Sequence, residues 1–207
     1  MIGMLHGIAT TCMGELLENI FDEVQMGGCF IKVCNVTEPP NEKASRGKAP
    51  DVAFYMRPQY SQGYDLKPWP QVVIEVGTSE SQPKLEEDAR FWLIDGGTAV
   101  RWVLTLKFFK DRALLCSWIL TDTNKLQVRS CMEAVKHDGR YTLTSPQEDL
   151  HLSFSKLFLR QPHGHEPDTV VLSCQAFLDM VNLVHTQYEE SEESPTQPAA
   201  RPSPSRP

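Results

Sequence analysis

Two carboxylates interrupt apolar, β-branched runs: Asp51 in Pro50-Asp51-Val52-Ala53-Phe54, and Glu75 in Val72-Val73-Ile74-Glu75-Val76-Gly77. A carboxylate buried in such a run is costly unless it is paired, protonated or bound to a cation. Held at matching heights on neighbouring strands, Asp51 and Glu75 would form a hard oxygen site of the kind Mg²⁺ or Mn²⁺ takes. Mg²⁺ needs only one or two carboxylates, keeps several waters and leaves room for a substrate phosphate. An ion held there activates water and offsets charge on a phosphoryl oxygen. The plainer alternative is that Asp51 is a turn residue and Glu75 a solvent-facing strand end. Taken alone, the two residues favour that alternative.

The elements that must position them follow from periodicity and turn chemistry. Apolar residues at Leu5, Ile8, Cys12, Leu16, Ile20 and Val24 recur at steps of three or four, which predicts an amphipathic helix over 4–24, ended by Gly27-Gly28. A strand follows over 29–36, then a polar loop over 37–50. A short strand over 51–56 begins at Asp51. A loop over 57–70 leads to a central apolar strand over 71–76. Residues 79–94 read as a helix with Ser79 as its cap and Pro83 in the first turn, burying Leu85, Ala89 and Trp92. Strands over 99–108, 113–121 and 126–135 come next, separated by Lys110-Asp111, Thr123-Asn124 and His137-Asp138-Gly139 as turn signals. A short edge-like segment covers 151–158, and a second amphipathic helix covers 174–188. Residues 189–207 lack periodicity and read as a disordered tail on one domain, 1–188. The order predicts an α/β or α+β architecture with a mixed sheet.

Composition narrows the function classes. The 207 residues include 41% hydrophobic and 23% charged side chains, enough for an ordinary core. There is no run long enough for a membrane span and no secretory pattern at the N-terminus, so the expectation is an intracellular protein of cytoplasm or nucleus with no membrane partner. The six cysteines are scattered without a CxxC and read as reduced, packed thiols. A net charge of −7 argues against a broad nonspecific nucleic-acid surface. Lys43, Arg46 and Lys48 precede Asp51 and could touch phosphates, although such a cluster more often marks a mobile polar loop. His163-Gly164-His165 reads as exposed loop rather than a metal site, and Trp69, Trp92, Trp102 and Trp118 as core.

Lys48-Ala49-Pro50-Asp51-Val52-Ala53-Phe54, Pro70 through Ser81 around Glu75, then Lys84-Leu85 and Asp88-Ala89-Arg90-Phe91-Trp92-Leu93 together resemble the PD-(D/E)xK nuclease superfamily. The likeness is greatest to restriction-endonuclease domains of bacteria and, in this form, of fungi. It spans about residues 4–185 and takes in Leu152-Ser153-Phe154, Phe158-Leu159-Arg160 and Asp168-Thr169-Val170-Val171-Leu172. The resemblance implies a restriction-endonuclease-like mixed sheet flanked by helices, with Asp51 and Glu75 as metal-binding acids. It also implies a lysine two residues after the glutamate, where this chain has Gly77. Lys84 on the following helix is the substitute that related subfamilies suggest, with Arg90 in reserve. Lys84 and Asp88 also stand at i and i+4, as in an ordinary surface ion pair. Glu15 and Glu18 on the first helix, which sometimes supplies an acid in this superfamily, read as solvated. The resulting expectation is a Mg²⁺- or Mn²⁺-dependent endonuclease acting on nucleic acid, DNA first, with Asp51, Glu75 and Lys84 as catalytic residues. The alternative is a catalytically degenerate binding module on the same fold.

Overall fold

The computed structural model describes residues 2–35, 48–60, 69–95, 99–121, 125–144 and 147–193. Helix α1 spans Ile2–Glu23. Its deepest face is Ala9, Met13, Leu17 and Phe21, with Cys12 and Ile20 beside it. That face is rotated from the expected stripe: Leu5, Ile8, Leu16 and Val24 are only partly buried. The reason is a second contact, because α1 also packs on the C-terminal helix α4, Cys174–Glu193. The helix stops before the glycines. Gln25 takes a left-handed conformation at φ 59°, and the Met26 N–H reaches back to the Phe21 carbonyl at 2.7 Å, which ends the helix at Glu23, one residue short of the expected boundary.

Strands β1 (Phe30–Val33), β2 (Val52–Met56), β3 (Val72–Gly77), β4 (Trp102–Phe108), β5 (Arg112–Leu120), β6 (Leu126–His137) and β7 (Arg140–Leu143) form one sheet in chain order. Only β3 and β4 pair in parallel, and helix α2 (Gln82–Asp95) connects them, so the sheet is mixed. Every residue of β3 and of β4 is buried, as expected for central strands covered on both faces. One face carries Val52, Phe54, Val72, Ile74, Val76, Leu104 and Leu106 against α1 and α4. The other carries Val73, Val103 and Trp118 against Ala89, Trp92 and Leu93 of α2. The architecture is thus mixed α/β, with helices on both faces of a seven-stranded sheet.

Several expected boundaries move. The cap of α2 is Ser81 rather than Ser79: the Lys84 N–H meets the Ser81 carbonyl at 3.1 Å. Strand β7 was not foreseen as a strand. It returns from β6 through Asp138-Gly139, both at positive φ, 48° and 81°, the geometry of a two-residue hairpin turn. The segment read as one edge element over 151–158 is strand β8 (Leu150–Ser153) followed by the short helix α3 (Phe154–Phe158). Strand β8 pairs antiparallel with β9 (Thr169–Leu172) in a separate two-stranded sheet. Helix α4 runs five residues past the expected boundary at 188. The rest of the expected tail lies outside the described residues.

The cysteine reading needs correction. Cys116 on β5 and Cys131 on β6 are register partners and form a disulfide, with Cα atoms 4.2 Å apart. Cys12, Cys29, Cys34 and Cys174 are free, and all but Cys34 are buried. A separation of 15 residues gave no local motif. Only the pairing of β5 with β6 brings the two sulfurs together. No helix among the described residues is long and apolar enough to cross a membrane.

Candidate functional site

Asp51 stands at a bend immediately before β2. The β2–β3 ladder pairs Ala53 with Val73 and Val52 with Ile74. One further step in that register sets Asp51 opposite Glu75. The backbone leaves the ladder at this point, because the Pro50 carbonyl accepts the Asn35 N–H at 3.1 Å. The Asp51 side chain takes over: Oδ2 accepts the Val76 N–H at 2.7 Å. Its other oxygen, Oδ1, lies 3.0 Å from His6 Nε2 on α1. The hydrogen bond to Asp51 raises the His6 pKa above the ordinary imidazole value, against the opposing effect of burial.

Glu75 lies in the middle of the sheet and is 5% exposed. Its Oε1 accepts from Lys48 Nζ at 2.5 Å and from the Trp92 indole N–H. Burial pushes its pKa up to about 7, even though Lys48 and Trp92 both favour the charged form; the Asp51 charge adds to the upward push. Lys48 Nζ also sits 3.0 Å from Asp88 Oδ1 and 5.5 Å from the centre of the Trp92 ring. Asp88 is itself buried on α2 and pairs at 2.9 Å with Lys84. The result is a charge relay running inward from the surface: Glu87, Lys84, Asp88, Lys48, Glu75.

Lys84 is therefore one cation removed from Glu75. Its contacts are Glu87 at 3.1 Å and Asp88, and its side chain is 50% exposed, as in a surface ion pair. Arg90 is exposed on the same helix. Glu15 is exposed, and Glu18 pairs with Lys32 away from this cluster. His163 and His165 are exposed, as expected for a loop. The four tryptophans are buried, and Trp92 carries the added role of donor to Glu75. Lys43 and Arg46 lie outside the described residues. Two cavities, of about 330 and 370 Å³, are lined by Glu18, Asp22 and Lys32 with neighbours, and by Arg101, Lys156 and Arg160 with neighbours. Neither adjoins Asp51 or Glu75.

The donor set suits a hard divalent ion in kind: one carboxylate immediately before β2 and one on β3, with the described hydrogen bonds to Glu75 falling on Oε1. No group of three His, Cys, Asp or Glu placed to hold a metal occurs among the described residues, so waters or a phosphate would have to complete the shell. Sequence reasoning missed His6, Asp88 and the contact of Lys48 with Glu75. For His6 the signal was slight, one imidazole on an amphipathic helix. For Lys48 it was a single cation three residues before Asp51.

No family profile and no curated protein sequence matches this chain.

Proposed function

We propose that the chain is a metal-dependent phosphodiesterase of nuclease type, in line with its resemblance to the PD-(D/E)xK superfamily. The observation that carries this reading is Glu75: an acid 5% exposed in the central strand, at the position opposite Asp51, whose charged form needs a cation beside it. Asp51 and Glu75 would hold Mg²⁺ or Mn²⁺, and the ion would supply activation of water and neutralisation of phosphoryl charge. The Val76 N–H and His6 fix the Asp51 carboxylate, and the Trp92 indole fixes that of Glu75. Asp88 keeps Lys48 within reach when Glu75 turns to a ligand. The resemblance assigns charge stabilisation to Lys84, and DNA is the first substrate to test. The mixed sheet with helices on both faces agrees with the restriction-endonuclease-like fold at the level of architecture.

A second reading draws on the same corner. The Lys48 ammonium already neutralises Glu75, which suits a module that kept the fold, lost catalysis and binds a partner without metal. The two readings differ in a direct experiment. Oligonucleotides of single- and double-stranded DNA and RNA are incubated with the full chain and Mg²⁺ or Mn²⁺, and metal binding is followed by calorimetry. The nuclease reading expects cleavage, and expects Asp51→Ala and Glu75→Ala each to abolish both cleavage and metal binding. Absence of cleavage, together with no metal binding that Glu75→Ala removes, would sink it in favour of the binding module.

A further inference from the structure

We infer that Lys107 on β4, rather than Lys84, is the cation that meets a non-bridging oxygen of the phosphate, an assignment that rests on the nuclease reading above. The argument begins with register. In the parallel β3–β4 pair, Glu75 lies opposite Thr105 and Gly77 lies opposite Lys107. Side chains two residues apart on a strand share a face, and register partners share it too. Lys107 therefore projects from the same face of the sheet as Glu75, one step nearer the strand ends.

Gly77 makes room for it. A Cβ placed on Gly77 would stand 3.2 Å from Lys107 Cδ and 2.8 Å from Leu85 Cδ1. The lysine stem thus lies along the space a side chain at 77 would fill. Its ammonium donates to the Thr78 carbonyl at 3.2 Å, at the turn that leads from β3 into α2. The phenyl ring of Phe109 lies 5.3 Å from the same nitrogen.

Burial and partners separate Lys107 from the other candidates. It is a buried residue, whereas Lys84 is an exposed one. Lys48 and Lys84 are each bound to two carboxylates. Among the described residues Lys107 has no carboxylate within ion-pair distance; its one hydrogen-bond acceptor is a carbonyl, and the charge of Glu80 acts on it only from farther off. Burial holds its amine below the ordinary lysine value. A buried ammonium with a single neutral acceptor retains capacity for an anion, and an arriving phosphate oxygen supplies the counter-charge that the fold withholds.

In the hydrolysis, a water oxygen bonds to phosphorus as the phosphorus–oxygen bond to the leaving sugar breaks. The proton lost by the water passes to solvent, and the leaving oxygen takes one up from solvent. Lys107 donates a hydrogen bond to the non-bridging oxygen throughout and keeps its own protons. That charge is most needed at the transition state, where the loss of one such donor costs on the order of a hundredfold in rate.

The test uses the full chain and the oligonucleotide that the parent cleaves, with Mg²⁺ for turnover and Ca²⁺ for binding without turnover. Lys107→Met should lower kcat about a hundredfold with KM little changed, and its melting temperature should equal or exceed that of the parent, since a buried charge is gone. Lys107→Arg should restore part of the rate. Gly77→Ala, which crowds the Lys107 stem, gives a second variant and should also slow cleavage. Cleavage by Lys107→Met within threefold of the parent overturns the assignment and leaves the nuclease reading standing. Cleavage that survives both Asp51→Ala and Glu75→Ala but not Lys107→Met refutes the metal acids and upholds Lys107. A parent that neither cleaves with Mg²⁺ nor binds any oligonucleotide with Ca²⁺ overturns both.

Discussion

The ammonium of Lys48 rests 2.5 Å from Oε1 of Glu75, although 27 residues separate them. The buried acid is thus neutralised by its own chain, and the Lys48 side chain is itself only 23% exposed. Lys48→Met should raise the Glu75 pKa above about 7. It should also destabilise the protein at pH 8 by about 1–3 kcal/mol, because a buried charge loses its partner. Lys84→Met removes a half-exposed lysine whose buried partner Asp88 keeps Lys48, and should cost less, on the order of 0.5–1 kcal/mol. Denaturant melts of the two variants check the contrast. Equal losses would show that Lys48 is no closer to Glu75 in solution than Lys84 is.

Glu75 should make stability fall with rising pH. Its folded pKa, about 7, lies above the ordinary 4.5. The fold's preference for the protonated acid is therefore fully present below the unfolded value and lost as pH rises through the folded one. Glu75→Gln keeps an acceptor for Trp92 and Lys48 but does not titrate. The difference in unfolding free energy, variant minus parent, should grow from pH 4 to pH 8 by on the order of 2–3 kcal/mol. A difference that stays flat across that window would place the Glu75 carboxyl in water rather than in the core.

Gly77 is a packing glycine, not a turn glycine. Its added Cβ would fall 2.8 Å from a terminal methyl of Leu85. Gly77→Ala should therefore destabilise by about 1–3 kcal/mol. Pairing it with Leu85→Ala should recover part of that loss, which a double-mutant cycle reads as favourable coupling. Purely additive losses would mean the two residues do not touch.

The Cys116–Cys131 bond closes a hairpin that the β5–β6 ladder already holds. Its stabilisation should thus sit at or below the roughly 3 kcal/mol expected for a free loop of that size. Non-reducing intact mass should be short by two hydrogens, and Cys131→Ser should lower the melting temperature to that of the reduced parent. A full thiol count in the untreated protein would contradict the bond.

What the sequence shows of this fold depends on range. The run Val72-Val73-Ile74-Glu75-Val76 announces a central strand by composition alone, and β3 is buried throughout. The stripe Leu85, Ala89, Trp92 is legible for the same reason, since helical periodicity is local. Where a helix has two neighbours, periodicity loses the answer: α1 buries Met13 and Leu17 more deeply than Leu5 and Ile8 because α4 competes for its flank. The Ser81 cap was missed because Ser79 with Gln82 three residues on has capping-box spacing, and the left-handed Gln25 because Gly27 is the residue type that takes that conformation most readily. In the site, Asp51 and Glu75 could be picked out as carboxylates in apolar runs. Their partners His6, Lys48 and Trp92 arrive from other elements across 45, 27 and 17 residues, and no spacing rule spans those separations.

The amide of Val76 gives the site a built-in reporter. Its proton is held by the Asp51 carboxylate at 2.7 Å rather than by a backbone carbonyl. The chemical shift of that one proton therefore follows the electron density on Asp51 Oδ2. A cation drawing on the carboxylate should move the Val76 resonance, while the Val73 and Leu104 amides, deep in the same sheet, stay where they are. Titrating Mg²⁺ into isotope-labelled protein would thus show at a single peak whether Asp51 is a ligand, before any substrate is known.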